Sequence, residues 1–229
     1  MNSISIIIPV YNEAKTISKL LWHLKTQATT TIIKEIIVVD GGSTDNTKQI
    51  ALYEGVTVIS SKKGRAKQMN YGAKHAKGSI LYFLHADSFP PNGFDRLIFT
   101  EVEKGNFAGC FKMKFDSKHW WLKLAGWLTQ FNWKASRGGD QSLFVTKDLF
   151  IELNGFNEQF TIYEDIDFIN KLYRIKQFVV IQQWIITSSR RYQTKGIWKL
   201  QYHFWMIYIK KWFGASAEQL YSYYAKYIQ

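Results

Sequence analysis

The chain has 229 residues, 46% hydrophobic and 21% charged, which suits one large domain and excludes a disordered chain or a fibre. Its longest apolar run, Phe204 to Ile209, falls far short of the roughly 18 to 20 residues of a membrane span. Thirty Lys and Arg against 18 Asp and Glu leave a charge of +12. No acid lies between Asp167 and Glu218, so this basic, aromatic region suits nucleic acid or an anionic membrane surface, although scattered lysines are more often plain solubilising charge.

Ser3 to Ile8 reads as a buried strand stopped by Pro9, and Tyr11-Asn12-Glu13 closes it too early for the apolar core of a signal peptide. Ala14 to Leu24 carries a helical stripe at Ile17, Leu20, Leu21 and Leu24. Glu35 to Val39 is a second strand, ending at Asp40-Gly41-Gly42-Ser43. A short helix over Asp45 to Tyr53 and a third strand over Val56 to Ile59 follow. Gly64 to Lys77 is helical, with Ala66, Met69, Ala73 and Ala76 on one side, and Ile80 to Leu84 is a fourth strand running into His85-Ala86-Asp87-Ser88. Short, wholly apolar strands alternating with helices imply an α/β fold with a parallel sheet covered on both faces. Ligands of such sheets bind at the carboxyl ends of the strands, so the polar residues closing them should gather on one rim.

The second half is less regular. Phe107 to Phe115 reads as a strand, His119 to Trp133 as a tryptophan-rich helix, Ser142 to Val145 as a strand and Asp148 to Leu153 as a helix. Asp165 to Ile175 is helical and Phe178 to Ile181 a strand, with helices over Gly196 to Phe213 and Ser216 to Ile228. One cysteine, Cys110, excludes an internal disulfide and a multi-cysteine metal site, and is consistent with a reducing cytoplasm.

Four places could carry chemistry. Asp40, at a strand end beside glycines that admit close approach, can hydrogen-bond a nucleotide, or simply cap the next helix. Asp87 can ligate Mg²⁺ or Mn²⁺ through oxygen with a diphosphate completing the shell, or be a turn residue. Neighbouring His85 is more often structural but could touch a ribose. Glu164 and Asp165 open a helix, where acids are expected from its dipole; the functional alternative is a general base beside a reacting hydroxyl. Lys62, Lys63 and Arg65 surround a helix start suited to phosphate or carboxylate. No Gly-x-Gly-x-x-Gly and no phosphate loop of the Walker type occurs.

The order of these segments resembles the family 2 glycosyltransferases of the GT-A fold, and in particular a bacterial subgroup with short chains. The matching stretches are Ser5-Ile-Ile-Ile-Pro-Val-Tyr-Asn-Glu13, Glu35-Ile-Ile-Val-Val-Asp-Gly-Gly-Ser-Thr-Asp45 and Gly64-Arg-Ala-Lys-Gln-Met-Asn-Tyr-Gly72. Leu84-His-Ala-Asp-Ser88, Gly139-Asp-Gln-Ser-Leu-Phe144, Leu153-Asn-Gly-Phe-Asn-Glu158 and Glu164-Asp165 come after them. The resemblance implies an inverting transfer from a nucleotide-diphospho-sugar, usually a UDP-sugar, to a hydroxyl or carboxyl acceptor, with a lipid-like acceptor among the candidates. Pro9, Tyr11 and Glu13 would line the base and ribose pocket and Asp40 would bind the base. Arg65 and Asn70 would border the donor, and Asp87 matches the metal-binding last acid of the family's Asp-x-Asp. Asp165 matches the catalytic base of the family's Glu-Asp pair, with the adjacent Glu164 the alternative, and Arg65 or the Arg190-Arg191 pair would help carry the diphosphate charge. His85 stands where the family has its first acid, which bears on the ribose contact.

The expected organisation is a GT-A domain over 1–189, with a nucleotide-sugar half over 1–90 and an acceptor half over 91–189, then basic aromatic helices over 190–229. Two rival functions, a sugar-phosphate nucleotidyltransferase and a basic nucleic-acid binder, lack their motifs here. The helix over Gly196 to Phe213 has two apolar sides, Trp198, Tyr202, Trp205, Ile209, Trp212 and Phe213 against Ile197, Leu200, Phe204, Ile207 and Tyr208. One side can pack on the domain; the other needs lipid or a second subunit.

Overall fold

The computed structural model describes residues 2–138 and 141–228, so Gly139 and Asp140 of the Gly139–Phe144 stretch lie outside the described residues. Strands β1 (Ile4–Val10), β2 (Ile33–Asp40), β3 (Thr57–Ser60) and β4 (Ile80–Phe83) stand in parallel in the order β3-β2-β1-β4. Helices α1 (Ile17–Gln27), α2 (Thr47–Tyr53) and α3 (Arg65–His75) make the crossovers. These strands are aliphatic at successive positions because both faces are covered. Ile4, Ile6 and Ile8 pack with Leu20, Leu21 and Leu24 of α1, while Ile7, Ile37 and Val39 pack with Ala66, Met69 and Ala73 of α3. Helix α3 lies very close to the sheet. A Cβ on Gly72 would come within 2.5 Å of Ile7 Cγ2 and 2.9 Å of Val39 Cγ2.

Beyond β4 the sheet changes direction. Strand β7 (Leu143–Thr146) runs antiparallel to β4, followed by β6 (Ala108–Phe115), β8 (Val179–Thr187) and the two-residue β5 (Ser88–Phe89). The eight-stranded sheet is thus mixed and mostly parallel, in the order β3-β2-β1-β4-β7-β6-β8-β5. The helix expected over His119 to Trp133 is shorter: α5 covers Trp120–Leu128. Thr129 ends it by donating its Oγ1 hydrogen to the Gly126 carbonyl at 2.6 Å, and a 3₁₀ turn over Lys134–Ser136 follows. Strand β8 continues well past Ile181, because the polar Gln182 and Gln183 interrupt the apolar pattern at a register shift without ending the pairing.

Helix α4 (Phe94–Glu103) was hidden in the sequence behind Pro90-Pro91, and buries Phe94, Ile98 and Val102 four residues apart. Helices α6 (Lys147–Glu152) and α7 (Glu164–Arg174) follow β7, and α8 (Arg190–Lys195) follows β8. The chain then forms α9 (Ile197–Trp212) and α10 (Ala217–Tyr227), the latter opened by a reciprocal cap between Ser216 and Gln219. Leu200 and Ile207 of α9 enter a core with Leu122, Phe160, Ile162, Tyr192 and Leu220. The other side of α9 faces outward, with Trp198, Tyr202, Trp205 and Trp212 exposed. Among the described residues no helix is long and apolar enough to cross a membrane.

Candidate active site

The ends of β1, β2 and β4, with the start of α3, form one rim, as the alternation of apolar strands and polar closures predicts. At the end of β2, Asp40 is almost buried and accepts hydrogen bonds from the backbone N–H groups of Gly42 at 3.1 Å and Ser43 at 3.2 Å. This carboxylate thereby shapes the loop that carries the glycines. Beyond β1, Asn12 adopts a left-handed backbone (φ 56°), and its side-chain oxygen accepts from Thr44 N–H at 2.8 Å. The two strand-end loops are laced together. Tyr11 is partly exposed, with Lys63 Nζ 3.6 Å above its ring, and Pro9 pairs across the ladder with Val39.

A long-range cation joins two acids of the rim. The Arg190 guanidinium, at the start of α8, donates to both oxygens of Glu13 (3.1 and 3.3 Å) and lies 3.6 Å from Asp87 Oδ2. These contacts favour its charged form, and the Glu13 hydrogen bond is the largest cause. Glu13 is also held by the Thr16 hydroxyl at 2.9 Å. The Asp87 loop is fixed from behind, since β5 pairs with the end of β8 and Ser188 N–H donates to the Asp87 carbonyl. Asp87 keeps 26% of its side chain exposed.

Across the rim, α7 presents its first turn. Tyr163, immediately before it, adopts a left-handed backbone (φ 77°), a conformation that costs a non-glycine residue energy and aims the next two carboxylates inward. Glu164 is wholly buried, its Oε1 2.7 Å from Arg65 Nε. Burial pushes its pKa above the usual carboxylate range, and the facing Arg65 only partly offsets this. Asp165 Oδ2 lies 4.0 Å from Arg65 Nη1 and 4.0 Å from His85 Nε2. His85 therefore stands next to the candidate base and Arg65 spans both acids.

Asn70 binds elsewhere. Its amide donates to Phe156 O and Glu158, and its oxygen accepts from Phe156 N–H, so it holds the segment leading toward α7. Arg190 and Arg191 part company, as successive helix residues point about 100° apart. Arg191 stacks on Tyr224 and donates to its hydroxyl. It lines a cleft of about 950 Å³ between α5, α7 and α9 that reaches Arg65 and Asp165, with Trp121, Phe204 and Trp205 on its walls.

Three supporting residues had no role assigned from the sequence, although Gln68 and Gln141 fall within the matching stretches. Gln68 is buried under the rim and donates to the carbonyls of Val10 (2.9 Å) and Val39 (2.8 Å), joining the ends of β1 and β2. Its spacing of four from Gly72 was the available signal, because a polar residue beside a glycine on a buried helix side faces backbone. Arg137 is buried too, donating to the carbonyls of Thr129 (2.6 Å) and Phe131 (2.5 Å) and to Cys110 Sγ, and so holds the cleft wall between α5 and the 3₁₀ turn. Gln141 lines the cleft and is also buried. Neither of these two sits in a periodic pattern.

Comparison with known proteins agrees with this architecture. Glycosyltransferase AglE of Haloferax volcanii is 37% identical over 94 residues, covering 38% of this chain and 31% of that protein. TarS (residues 1–349) of S. aureus, solved with UDP-GlcNAc, superposes with a TM-score of 0.68 at 20% identity over 82% of this chain and 58% of that one. Glucosyl-3-phosphoglycerate synthase of Mycobacterium tuberculosis, solved with Mn²⁺, UDP and glucosyl-3-phosphoglycerate, gives 0.61 at 17% identity over 80% and 70% of the two chains. Both share the GT-A arrangement of the sheet. The chain spans about a third of the length of the first curated relatives it matches. The profile of glycosyl transferase family 2 matches residues 5–176, three quarters of the sequence, and the chain belongs to that family.

Proposed function

We propose that this chain transfers a sugar from a UDP-sugar to an acceptor hydroxyl with inversion at the anomeric carbon, Asp165 acting as the base. The observation that carries the reading is the position of Asp165, 4.0 Å from His85 of the loop that also carries Asp87 and lining a cleft large enough for an acceptor. Arg65 and His85, each 4.0 Å away, hold its carboxylate in place. The acceptor oxygen attacks the anomeric carbon, its proton passes to Asp165, and the bond electrons leave with the nucleoside diphosphate.

The donor lies along the rim. Tyr11 with Lys63, Pro9 and the Asp40 loop border its base and ribose, while Arg190, together with Arg65, meets the growing diphosphate charge. Family membership and the UDP complexes of two GT-A neighbours support uridine as the base.

A divalent cation, Mn²⁺ or Mg²⁺, fits Asp87. Its carboxylate is a hard oxygen donor, part-exposed at the end of the β4 loop. Among the described residues no three His, Cys, Asp or Glu cluster to hold a metal, so diphosphate oxygens and water would supply the other ligands. Bound there, the ion would supply Lewis-acid stabilisation of the leaving diphosphate.

The protein works in the cytoplasm, with the exposed aromatic side of α9 resting on an anionic membrane surface. Trp198 and Trp212 there are 51% and 83% exposed, and the lysines of α9, Lys199, Lys210 and Lys211, supply the charge. A homodimer contact is the competing use of this face.

Thermal melting with UDP and Mn²⁺, followed by turnover, tests the assignment. UDP with Mn²⁺ should raise the melting temperature. Asp165→Asn should keep that shift while transfer falls about 10² to 10⁴-fold, the range for a lost general base. An Asp165→Asn variant with unimpaired transfer would remove Asp165 from the role.

A further inference from the structure

The cleft beside Asp165 has an uneven chemistry. Its walls are mainly apolar, formed by Phe115, Trp121, Leu128, Phe204, Trp205 and Tyr208. Its cationic groups are few, and most are already engaged. Arg65 faces Glu164 and Asp165, Arg137 donates to main-chain carbonyls, and Arg191 donates to Tyr224. Lys134 stands exposed at the edge.

Gln141 differs from these. It is only 5% exposed, it lines the same cleft, and both its Oε1 and its Nε2 are buried without a hydrogen-bond partner among the described residues. A carboxamide left this way costs about 1 to 3 kcal/mol for each unpaired group, so retaining one at a functional site calls for a ligand that satisfies it. One donor and one acceptor side by side match a neutral hydroxyl, which both accepts and donates.

We propose that the acceptor is a neutral long-chain alcohol, aliphatic or isoprenoid, whose apolar body lies along the aromatic walls and whose hydroxyl end is recognised by Gln141. The proposal rests on the glycosyltransferase reading of Asp165 and deepens it. Two arguments favour a neutral head over a phosphate. A phosphate monoester oxygen is already ionised near neutral pH and needs no base, whereas an alcohol must lose a proton as it attacks. The reactive end of the cleft also carries the Asp165 carboxylate, which repels an anion, while the guanidinium groups nearby are occupied. In the reaction the alcohol oxygen bonds to the anomeric carbon, its proton goes to Asp165, the carbon–oxygen bond to the diphosphate breaks, and UDP leaves with the electron pair.

The test uses farnesol and farnesyl phosphate as probes, followed by the emission of the cleft tryptophans in the whole protein. Farnesol should bind saturably, at least about tenfold tighter than farnesyl phosphate. In Gln141→Leu its affinity should fall about tenfold, the scale of one or two neutral hydrogen bonds. The same substitution removes two unsatisfied buried atoms, so the free variant should melt no lower than the wild type. Tighter binding of farnesyl phosphate overturns the neutral head, and a lower-melting Gln141→Leu makes Gln141 structural and overturns its role. A parallel melt with UDP separates the two levels. If UDP stabilises the protein and farnesol does not bind, this inference alone fails; if UDP does not bind either, the glycosyltransferase reading fails with it.

Discussion

Glu164 and Asp165 are neighbours in sequence with opposite surroundings. Asp165 reaches the cleft, whereas Glu164 is enclosed, facing Arg65 from a site without solvent. Because the Glu164 pKa is raised by desolvation above the ordinary value of 4.5, its contribution to stability is fully present below that value and is lost as pH rises through the folded-state pKa. Glu164→Gln should therefore melt at or above the wild type near pH 7, with the advantage shrinking as pH falls toward 4.5. Melting curves across that range check it; an advantage that instead grows on acidification would make the Arg65 pair the stronger influence. Which member of the pair lines the cleft was not legible in the sequence, since both acids satisfy a helix start equally well. The strand-end acids were legible because each follows an aliphatic run. The Glu13–Arg190 bond was not, because no local pattern links residues so distant in the chain.

At the scale of elements, the contact between α3 and the sheet positions the ends of β1 and β2. Gly72 permits the approach, and Gln68, one turn earlier, then reaches the carbonyls at the ends of β1 and β2. Gly72→Ala should destabilise the protein by about 1 to 3 kcal/mol, the usual cost of overpacking, because Ile7 Cγ2 belongs to a sheet that cannot retreat. Denaturant unfolding measures this, and an unchanged midpoint would mean that α3 moves freely. The alternating half of the fold was readable because continuous apolar strands and striped helices differ in period. The other half was less so. Helix α5 stops at Leu128 although the aromatic pattern runs on to Trp133, since Thr129 and the buried Arg137 redirect the chain through main-chain bonds that hydrophobicity does not encode.

For the whole molecule, six of the seven exposed tryptophans lie within 120–133 or on α9, on the flank of the cleft, and the seventh is Trp22 of α1. Trp120, Trp127 and Trp133 near the cleft join Trp198, Trp205 and Trp212 of α9 as exposed residues, and Trp121 packs against both Trp198 and Trp205. If this flank meets lipid, the protein should sediment with vesicles containing anionic phospholipid at low salt and be released as salt rises through the screening range. No sedimentation at low salt, with a stable dimer in solution, would assign the flank to a second copy. The Arg190 bridge also sets an order in time. Glu13 and Asp87 belong to the first ninety residues, yet their shared cation, and the strand that braces the Asp87 loop, arrive only with β8 and α8. A chain emerging from the ribosome at about 5 to 20 residues per second would have its parallel half complete for several seconds while two rim acids remained without their counter-charge. If the rim holds the donor as proposed, its acid side is completed only as a closing event of synthesis, once β8 and α8 have been laid down.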